Sequence, residues 1–274
     1  NRSIEGDIDA LGAAGSINID AGTVIVTASE VSTATASSVE NNEVASVSIA
    51  SKANLELSDS NIQASTSGDN AAGTIILKAK NIQLENVSNA SEIKISSNTT
   101  SSGDAGNIII TASETVIVNG SETVNYDNSL IQIAGNTTIE TTSGEVDANG
   151  DFTGTASNTG QAGTIKLEAG GIKIDDASIS AKTNSTLNNP AAEIQLIAHS
   201  ANVENIFDTP AAGGLNETIS GIQASDLQIS SATEGASTAG NVSLTSVAGN
   251  IQLTGDTQVS ASTDSIGHAG DISL

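Results

Sequence analysis

The residues best able to do chemistry in this chain are carboxylates that lie close together in the sequence. They occur as Asp7 with Asp9, as Asp175 with Asp176, and as the trio Glu145, Asp147 and Asp151. Acid and base catalysis on a sugar needs two carboxyl groups about 5 to 10 Å apart in a cleft, usually beside aromatic and basic side chains. The chain has three aromatic residues and eight lysines and arginines. A carbohydrate-active enzyme is therefore the less favoured interpretation, and Asp175 and Asp176 are expected in a turn, where aspartate suits the backbone.

The acidic segment 145–151 is also a weak candidate for calcium. Oxygen ligands stand at alternate positions with Gly150 at the sixth, as at the start of an EF-hand loop. Ala156 occupies the twelfth position, where that loop needs a bidentate glutamate. A calcium site and a solvated acidic loop both stay open, and no other cofactor is expected. The candidate ligands are Glu145, Asp147, Asn149 and Asp151.

Cysteine and histidine offer little further chemistry. The absence of cysteine excludes a disulfide framework, a thiolate metal site and a thiol nucleophile. The two histidines, His199 and His268, lie in different repeat units, so we expect surface turn residues rather than a metal pair.

The charge and the apolar runs restrict the partners. A net charge of −24 has the wrong sign for nucleic acid and for anionic membranes. The longest apolar runs, such as residues 108–110, are too short to span a bilayer. No nucleic-acid partner and no membrane span are expected.

A repeated phrase organises the chain. Gly73 and Gly106, and likewise Gly240 and Gly270, lie roughly thirty residues apart, a period typical of stacked repeats. Within a unit, apolar and polar residues alternate over three short stretches, which is strand periodicity. The phrase A-G-x-[IV]-x-[IL] begins at Ala14, Ala72, Ala105, Ala162, Ala239 and Ala269.

Short strands of this kind are stable only if each pairs with its copy in the next unit, about 4.8 Å away. We therefore predict an all-β fold, a parallel β-helix of about eight three-strand coils that forms one domain over residues 1–274. Aliphatic side chains and small corner residues such as Ala79 and Ala112 are expected inside. The ends cut across the repeat, which predicts either a segment of a longer array or copies that stack head to tail.

Three stretches depart from the repeat, at about 119–129, 143–160 and 205–218, and they contain all the aromatic residues, Tyr126, Phe152 and Phe207. Loops on a rigid scaffold often carry binding groups. These rings either project as interaction residues or fold back over apolar spots on their own coils.

Alternation also places some isoleucines outside. If Ile75 and Leu77 point inward, Ile76 points outward, and the same logic turns Ile109 outward in the next coil. Ile117 and Ile25 are expected outward on the second strand. Such an apolar strip is a candidate contact for lateral packing of rods, unless an insertion covers it.

The stretch from Gln258 to Ile272, QVSASTDSIGHAGDI, resembles the repeat of filamentous-haemagglutinin-like exoproteins, the secreted partners of two-partner secretion systems. Residues 176–183 and 105–110 match the same pattern. The resemblance implies a right-handed β-helical shaft, an outer-membrane secretion partner, and adhesion or aggregation at the bacterial cell surface. No catalytic residue carries over.

The sequence thus predicts a secreted, non-enzymatic structural or adhesive shaft. Its expected partners are other copies or neighbouring coils and a host or neighbouring cell surface, with glycans among the possible ligands. The alternatives are a filament subunit that polymerises head to tail and, less favoured, a carbohydrate-active β-helix.

Overall fold

A computed structural model describes residues 3–6, 15–35, 44–67, 69–88, 92–118, 121–146, 152–153, 160–186, 192–207, 217–264 and 266–274. These residues form strands and turns and no helix. In chain order the strands are β1 (Ser3–Gly6), β2 (Ile17–Ala21), β3 (Val24–Thr27), β4 (Glu30–Thr35), β5 (Val47–Ser51), β6 (Asn54–Ser58), β7 (Asn61–Thr66), β8 (Ile75–Ala79), β9 (Asn81–Glu85), β10 (Ile93–Thr99), β11 (Ile108–Ala112), β12 (Glu114–Val118), β13 (Ser121–Asn125), β14 (Leu130–Ser143), β15 (Ile165–Ala169), β16 (Gly171–Thr183), β17 (Ile194–Ala198), β18 (Val203–Glu204), β19 (Thr218–Ile219), β20 (Gly221–Thr233), β21 (Val242–Ser246), β22 (Asn250–Thr254), β23 (Gln258–Thr263) and β24 (Ile272–Ser273).

Two large sheets contain the stacked strands. The first sheet has eight parallel strands in the order β2-β5-β8-β11-β15-β17-β21-β24. The second has twelve strands and follows the path β1-β4-β7-β10-β14-β16-β20-β22, with β3, β6, β9 and β23 paired beside it. Every strand of these two sheets pairs in parallel with its copy one unit away, so the predicted all-β, parallel β-helix-like solenoid is confirmed. Right-handed winding stays a prediction, which the usual hand of parallel crossovers favours.

The second sheet forms two faces of the coil. We call the second face the ladder of β3, β6, β9 and β22 with the first halves of β14, β16 and β20. The third face is the ladder of β1, β4, β7, β10 and β23 with the second halves of β14, β16 and β20. β14, β16 and β20 run through the bend between these faces as continuous strands of 13 or 14 residues.

Aliphatic ladders fill the interior. On the first sheet Ile75, Ile108 and Ile165 are register partners in successive coils and are fully buried. The corner residues Ala79 and Ala112 are buried beside them, as predicted. In the middle coils each of these side chains therefore packs on its own copy above and below, which removes it from water, whereas Ile272 at the end of the row is exposed.

The bend between the second and third faces uses left-handed backbone. Asp59, Asp176 and Asp226 have φ values of 48, 55 and 51° there, and aspartate tolerates this region better than most residues. Each carboxylate accepts a backbone N–H from a neighbouring coil, at 2.9, 3.1 and 2.8 Å respectively. The N–H donors are Val87 for Asp59, Asn136 for Asp176 and Asp256 for Asp226.

The glycine of the repeated phrase lies where neighbouring coils approach most closely. A Cβ atom on Gly163 would lie 1.9 Å from the carbonyl oxygen of Gly106, and one on Gly106 would lie 2.1 Å from that of Gly73. The buried Ser97 hydroxyl donates to the same Gly73 carbonyl at 2.6 Å and accepts the Gly106 N–H at 3.0 Å. No side chain fits between these turns, which explains why the phrase contains glycine.

One expected strand is wrong. Ile117 does not belong to the second face, because β12 pairs antiparallel with β13 and the second-face position in this coil is taken by β14. The physical reason is the Asn119-Gly120 pair that follows β12, since Asn-Gly between alternating apolar residues strongly favours a hairpin.

A substitution at the glycine contact tests this packing. We expect Gly163→Ala to lower the stability by about 3 kcal/mol, because the new methyl group would overlap a backbone carbonyl of the next coil. Gly15→Ala is the matched control in the same phrase, since a Cβ there meets nothing within 4 Å. Urea unfolding followed by circular dichroism measures both, and equal midpoints for the two variants would contradict the close approach.

Candidate functional site: the junction of two insertions

Two insertions leave the solenoid at the same corner, between the first sheet and the second face. The first insertion, residues 113–129, joins β11 to β14, and the second insertion, residues 199–220, joins β17 to β20. The coil between them makes this corner with Gly170 alone, between β15 and β16. The insertions therefore flank one short corner, where they can meet.

Gly170 is the point of contact. Its N–H donates to the Ser129 hydroxyl at 2.8 Å, and its carbonyl accepts the N–H of Ser200 at 2.8 Å. The first of these partners belongs to the first insertion and the other to the second. A Cβ at Gly170 would lie 2.1 Å from the Tyr126 carbonyl oxygen, so the first insertion can approach this corner only over a glycine.

A small apolar cluster fixes the second insertion. Val203 of β18 and Ile219 of β19 are fully buried against Leu130, and the ring of Phe207 packs on them. The antiparallel pairing of β18 with β19 brings Val203 and Ile219 together. Phe207 thus folds back onto its own solenoid.

A polar cluster joins the two insertions beside this corner. The rings of Tyr126 and His199 are stacked, with centroids 4.1 Å apart and an interplanar angle of 14°. Glu168 belongs to β15 of the coil between the two insertions, and its Oε1 lies 3.0 Å from His199 Nε2. Its Oε2 lies 2.8 Å from the Nζ of Lys166, and it also accepts a hydrogen bond from Tyr126. One carboxylate of the middle coil therefore has a partner from each insertion.

The environment shifts two pKa values in this cluster. Burial, together with the charge of Glu168 and the hydrogen bond to it, raises the pKa of Tyr126 to about 12. Burial opposes ionisation of Glu168, but hydrogen bonds from Lys166, His199 and Tyr126 outweigh it and lower the pKa of Glu168 below its ordinary 4.5. The stabilisation by Glu168 is therefore present above pH 4.5 and lost on acidification below it, and that by Tyr126 is present below pH 10 and lost as the pH rises toward 12.

This arrangement is suited to holding rather than to proton transfer. At neutral pH Tyr126 stays protonated and Glu168 stays ionised, and the Glu168 carboxylate is already engaged by Lys166, His199 and Tyr126. The cluster couples the two insertions to the coil between them. His199 follows β17 and is half-buried, because it contributes a ring and a nitrogen to this junction, so it is not the surface turn residue expected from the sequence. His268 is exposed in the segment between β23 and β24.

The third departure from the repeat also folds back. Phe152 is half-buried and forms an isolated antiparallel bridge with Val146, and its ring lies beside Gly144. Glu145 is exposed, whereas Asp147, Asn149 and Asp151 lie outside the described residues, so the calcium site stays a prediction. Among the described residues no group of three or more histidine, aspartate or glutamate side chains could hold a metal ion.

The carboxylate pairs considered for catalysis have architectural roles where they are described. Asp175 accepts a hydrogen bond from the Ser225 hydroxyl at 2.5 Å, and Asp176 accepts the backbone N–H of Asn136 at the bend between the second and third faces. Asp7 and Asp9 lie outside the described residues.

Ile76 and Ile109 face outward as register partners on the first sheet, and both are half-buried. Lys166 is the next register partner of Ile109, and the exposed Lys78 lies two residues from Ile76 on the same side of its strand. We call these four residues the isoleucine patch. Its apolar centre is bordered by the exposed Lys78 and by Lys166, whose charge is paired with Glu168, in contrast with the acidic charge of the whole chain.

One cavity of about 750 Å³ is lined by inward residues such as Leu244, Ile251 and Leu253, so it is an open part of the coil interior. Two smaller polar cavities flank the second insertion. One of about 340 Å³ adjoins Asp127 and His199, and one of about 310 Å³ lies between Glu217 and the second face.

Comparison with protein families, curated proteins and solved structures finds no match to this chain. The described residues contain no helix that could cross a membrane.

The junction can be tested through its tyrosine. The chain has one tyrosine and no tryptophan, so tyrosinate absorbance reports Tyr126 alone. We expect a titration midpoint of about 12. Glu168→Gln should lower the midpoint but leave it above the ordinary 10.0, because burial is the largest cause and remains.

Glu193→Gln is the control, since Glu193 lies at the opposite end of β17 from His199. Circular dichroism at each pH verifies that the fold persists. A wild-type midpoint near 10 in folded protein would show that Tyr126 is not held at the junction.

The isoleucine patch makes a second prediction. Beads coated with the chain should aggregate through lateral contacts between the rods. The double variant Ile76→Lys with Ile109→Lys should lower the affinity of this contact about a hundredfold, because two apolar side chains no longer leave water when the rods meet. Gln195→Lys with Ser243→Lys is the control, as these outward register partners on the same sheet receive the same added charge. Equal clumping by the two double variants, with unchanged circular dichroism, would refute the patch as a contact.

Proposed function

We propose that this chain is part of the structural and adhesive shaft of a secreted bacterial surface protein of the filamentous-haemagglutinin-like type. The observation that carries the proposal is the register of the parallel ladders, which continues from coil to coil on all three faces. Such a ladder makes a stiff rod, because each added coil repeats the same hydrogen bonds and core contacts.

The insertions support an adhesive role for the rod. Both are fixed at one corner by backbone hydrogen bonds, an apolar cluster and the Tyr126–Glu168–His199 contacts. Loops that carry binding groups on a rigid scaffold are a common way to present a recognition surface. The junction thus offers a defined surface on the side of the rod.

The proposed role is non-enzymatic. Asp175 and Asp176, which are adjacent in the sequence, are engaged in bonds that hold the bend and the second face. The exported location and the outer-membrane secretion partner belong to the proposal and rest on the repeat resemblance in residues 258–272. A cell surface is the partner proposed for the adhesive face.

The proposal is tested with beads that carry the chain at one end. The chain has no cysteine, so one added after Leu274 allows oriented coupling. We expect coated beads to adhere to bacterial or host cells more than beads that carry an unrelated protein of matched acidic charge. Equal adhesion of both bead types to every surface would contradict the adhesive role.

Sedimentation of the free chain separates the shaft from the head-to-tail filament. With Ile76→Lys and Ile109→Lys removing the lateral contact, a shaft segment sediments as one species over a wide concentration range at high salt, whereas a filament subunit grows with concentration. Growth of the sedimenting species that persists in the isoleucine-patch variant would favour the filament subunit over the shaft.

A separate assay tests the enzyme alternative. Release of reducing ends from a polysaccharide by the purified chain would favour a carbohydrate-active enzyme over the shaft.

A further inference from the structure

A polar groove runs along the second face beside the second insertion. Lys173, Gln223 and Gln252 are successive register partners there and lie on the outer side of β16, β20 and β22. Asp175 and Ser225 form the next outward row. The groove encloses about 310 Å³, and Glu217 of the second insertion forms one wall.

The charged residues of the groove are already paired. Lys173 Nζ lies 2.6 Å from Glu217 Oε2, and Asp175 accepts the Ser225 hydroxyl at 2.5 Å. The ion pair therefore joins the insertion to the second face and closes the groove on that side. Because Glu217 neutralises Lys173 and the Asp175 carboxylate remains nearby in a chain of net charge −24, an anionic ligand would be repelled.

The two glutamines differ from their neighbours. Within the described residues neither the Gln223 nor the Gln252 amide makes a side-chain hydrogen bond, while Gln223 is half-buried and Gln252 exposed. Each amide offers two N–H donors and one carbonyl acceptor. They lie one strand spacing apart, about 4.8 Å, which is comparable with the length of one pyranose unit.

We propose that this groove binds a neutral, hydroxyl-rich oligosaccharide, with the chain of sugars running from coil to coil across Gln223 and Gln252. Hydroxyl groups both donate and accept hydrogen bonds, so they match amides better than a purely anionic or cationic ligand does. No aromatic residue lines the groove among the described residues, so the stacking contribution is missing and a dissociation constant on the order of 1 mM is expected.

This inference deepens the adhesive role proposed above, because it assigns a ligand class to one surface of the shaft. It does not depend on the Tyr126–His199 stack, which lies next to the other polar cavity. The two proposals can therefore fail separately.

The experiment titrates the purified full chain with neutral hexasaccharides of glucose, mannose, galactose and N-acetylglucosamine, observed through the glutamine side-chain amide signals in NMR. We expect at least one hexasaccharide to shift the Gln223 and Gln252 signals. Gln223→Ala or Gln252→Ala should weaken its binding about tenfold, the value of one or two lost hydrogen bonds. Gln195→Ala, on the outer side of the first sheet, is the control and should bind like the parent chain.

Salt and charge distinguish the outcomes. Binding of the neutral sugar should be the same at low and high salt, because no ion pair forms with it. The groove assignment is overturned if none of the four sugars shifts the two amides, or if Gln195→Ala weakens binding as much as Gln223→Ala. It is also overturned if only a tetralysine probe binds and high salt abolishes that binding.

The bead assay then separates this inference from the proposed function. Cell adhesion that Gln223→Ala with Gln252→Ala leaves unchanged would remove the groove but keep the adhesive shaft. Sugar binding without cell adhesion would keep the groove and remove the shaft's adhesive role.

Discussion

The fixed distance between neighbouring coils is the constraint on which the rest of the structure depends. Parallel strand pairing sets it to about 4.8 Å, and every side chain at a given position must then tolerate its own copy at that distance. Isoleucine stacked on isoleucine satisfies this inside the first sheet, at Ile75, Ile108 and Ile165. At the tightest turns even a methyl group fails, and glycine follows glycine from Gly73 through Gly163.

The same spacing determines what polar groups can do. A carboxylate or hydroxyl at a bend can reach the backbone of the next coil, so Asp59, Asp176 and Ser97 connect coils rather than face solvent alone. Part of the strong acidity is thus architectural. Proximity of two aspartates in such a chain is weak evidence for catalysis, because left-handed bends and unpaired N–H groups already favour aspartate.

Much of the fold follows from the sequence because the repeat is local and periodic. Alternation and the glycine phrase are enough to predict the strands, the inward rows, and the outward placement of Ile76 and Ile109. The junction is different. Tyr126 and His199 meet only because two insertions leave the same corner of coils on either side of Gly170, and nothing in the periodicity encodes a contact over that separation.

Two local signals did contain part of the missing information. Asn119-Gly120 is a hairpin sequence, and it explains why β12 turns back on β13 instead of continuing the coil. In the doublet Gly170-Gly171, the first glycine makes the corner and the second begins β16. The second insertion packs closely on Gly171 through Val203 and Ile219. This glycine pair therefore marks the corner on which the second insertion lies.

Specific contacts of this rod must overcome its own charge. A chain of net charge −24 repels its copies and most anionic surfaces at long range. The isoleucine patch, bordered by Lys78 and Lys166, and the groove, where Lys173 is held by Glu217, are places where that field is locally reduced. Stacking fixes the residues of the interior rows and of the glycine turns, so surfaces with reduced negative charge can be built only from outward positions and insertions. Recognition by this molecule should therefore be sought at those positions.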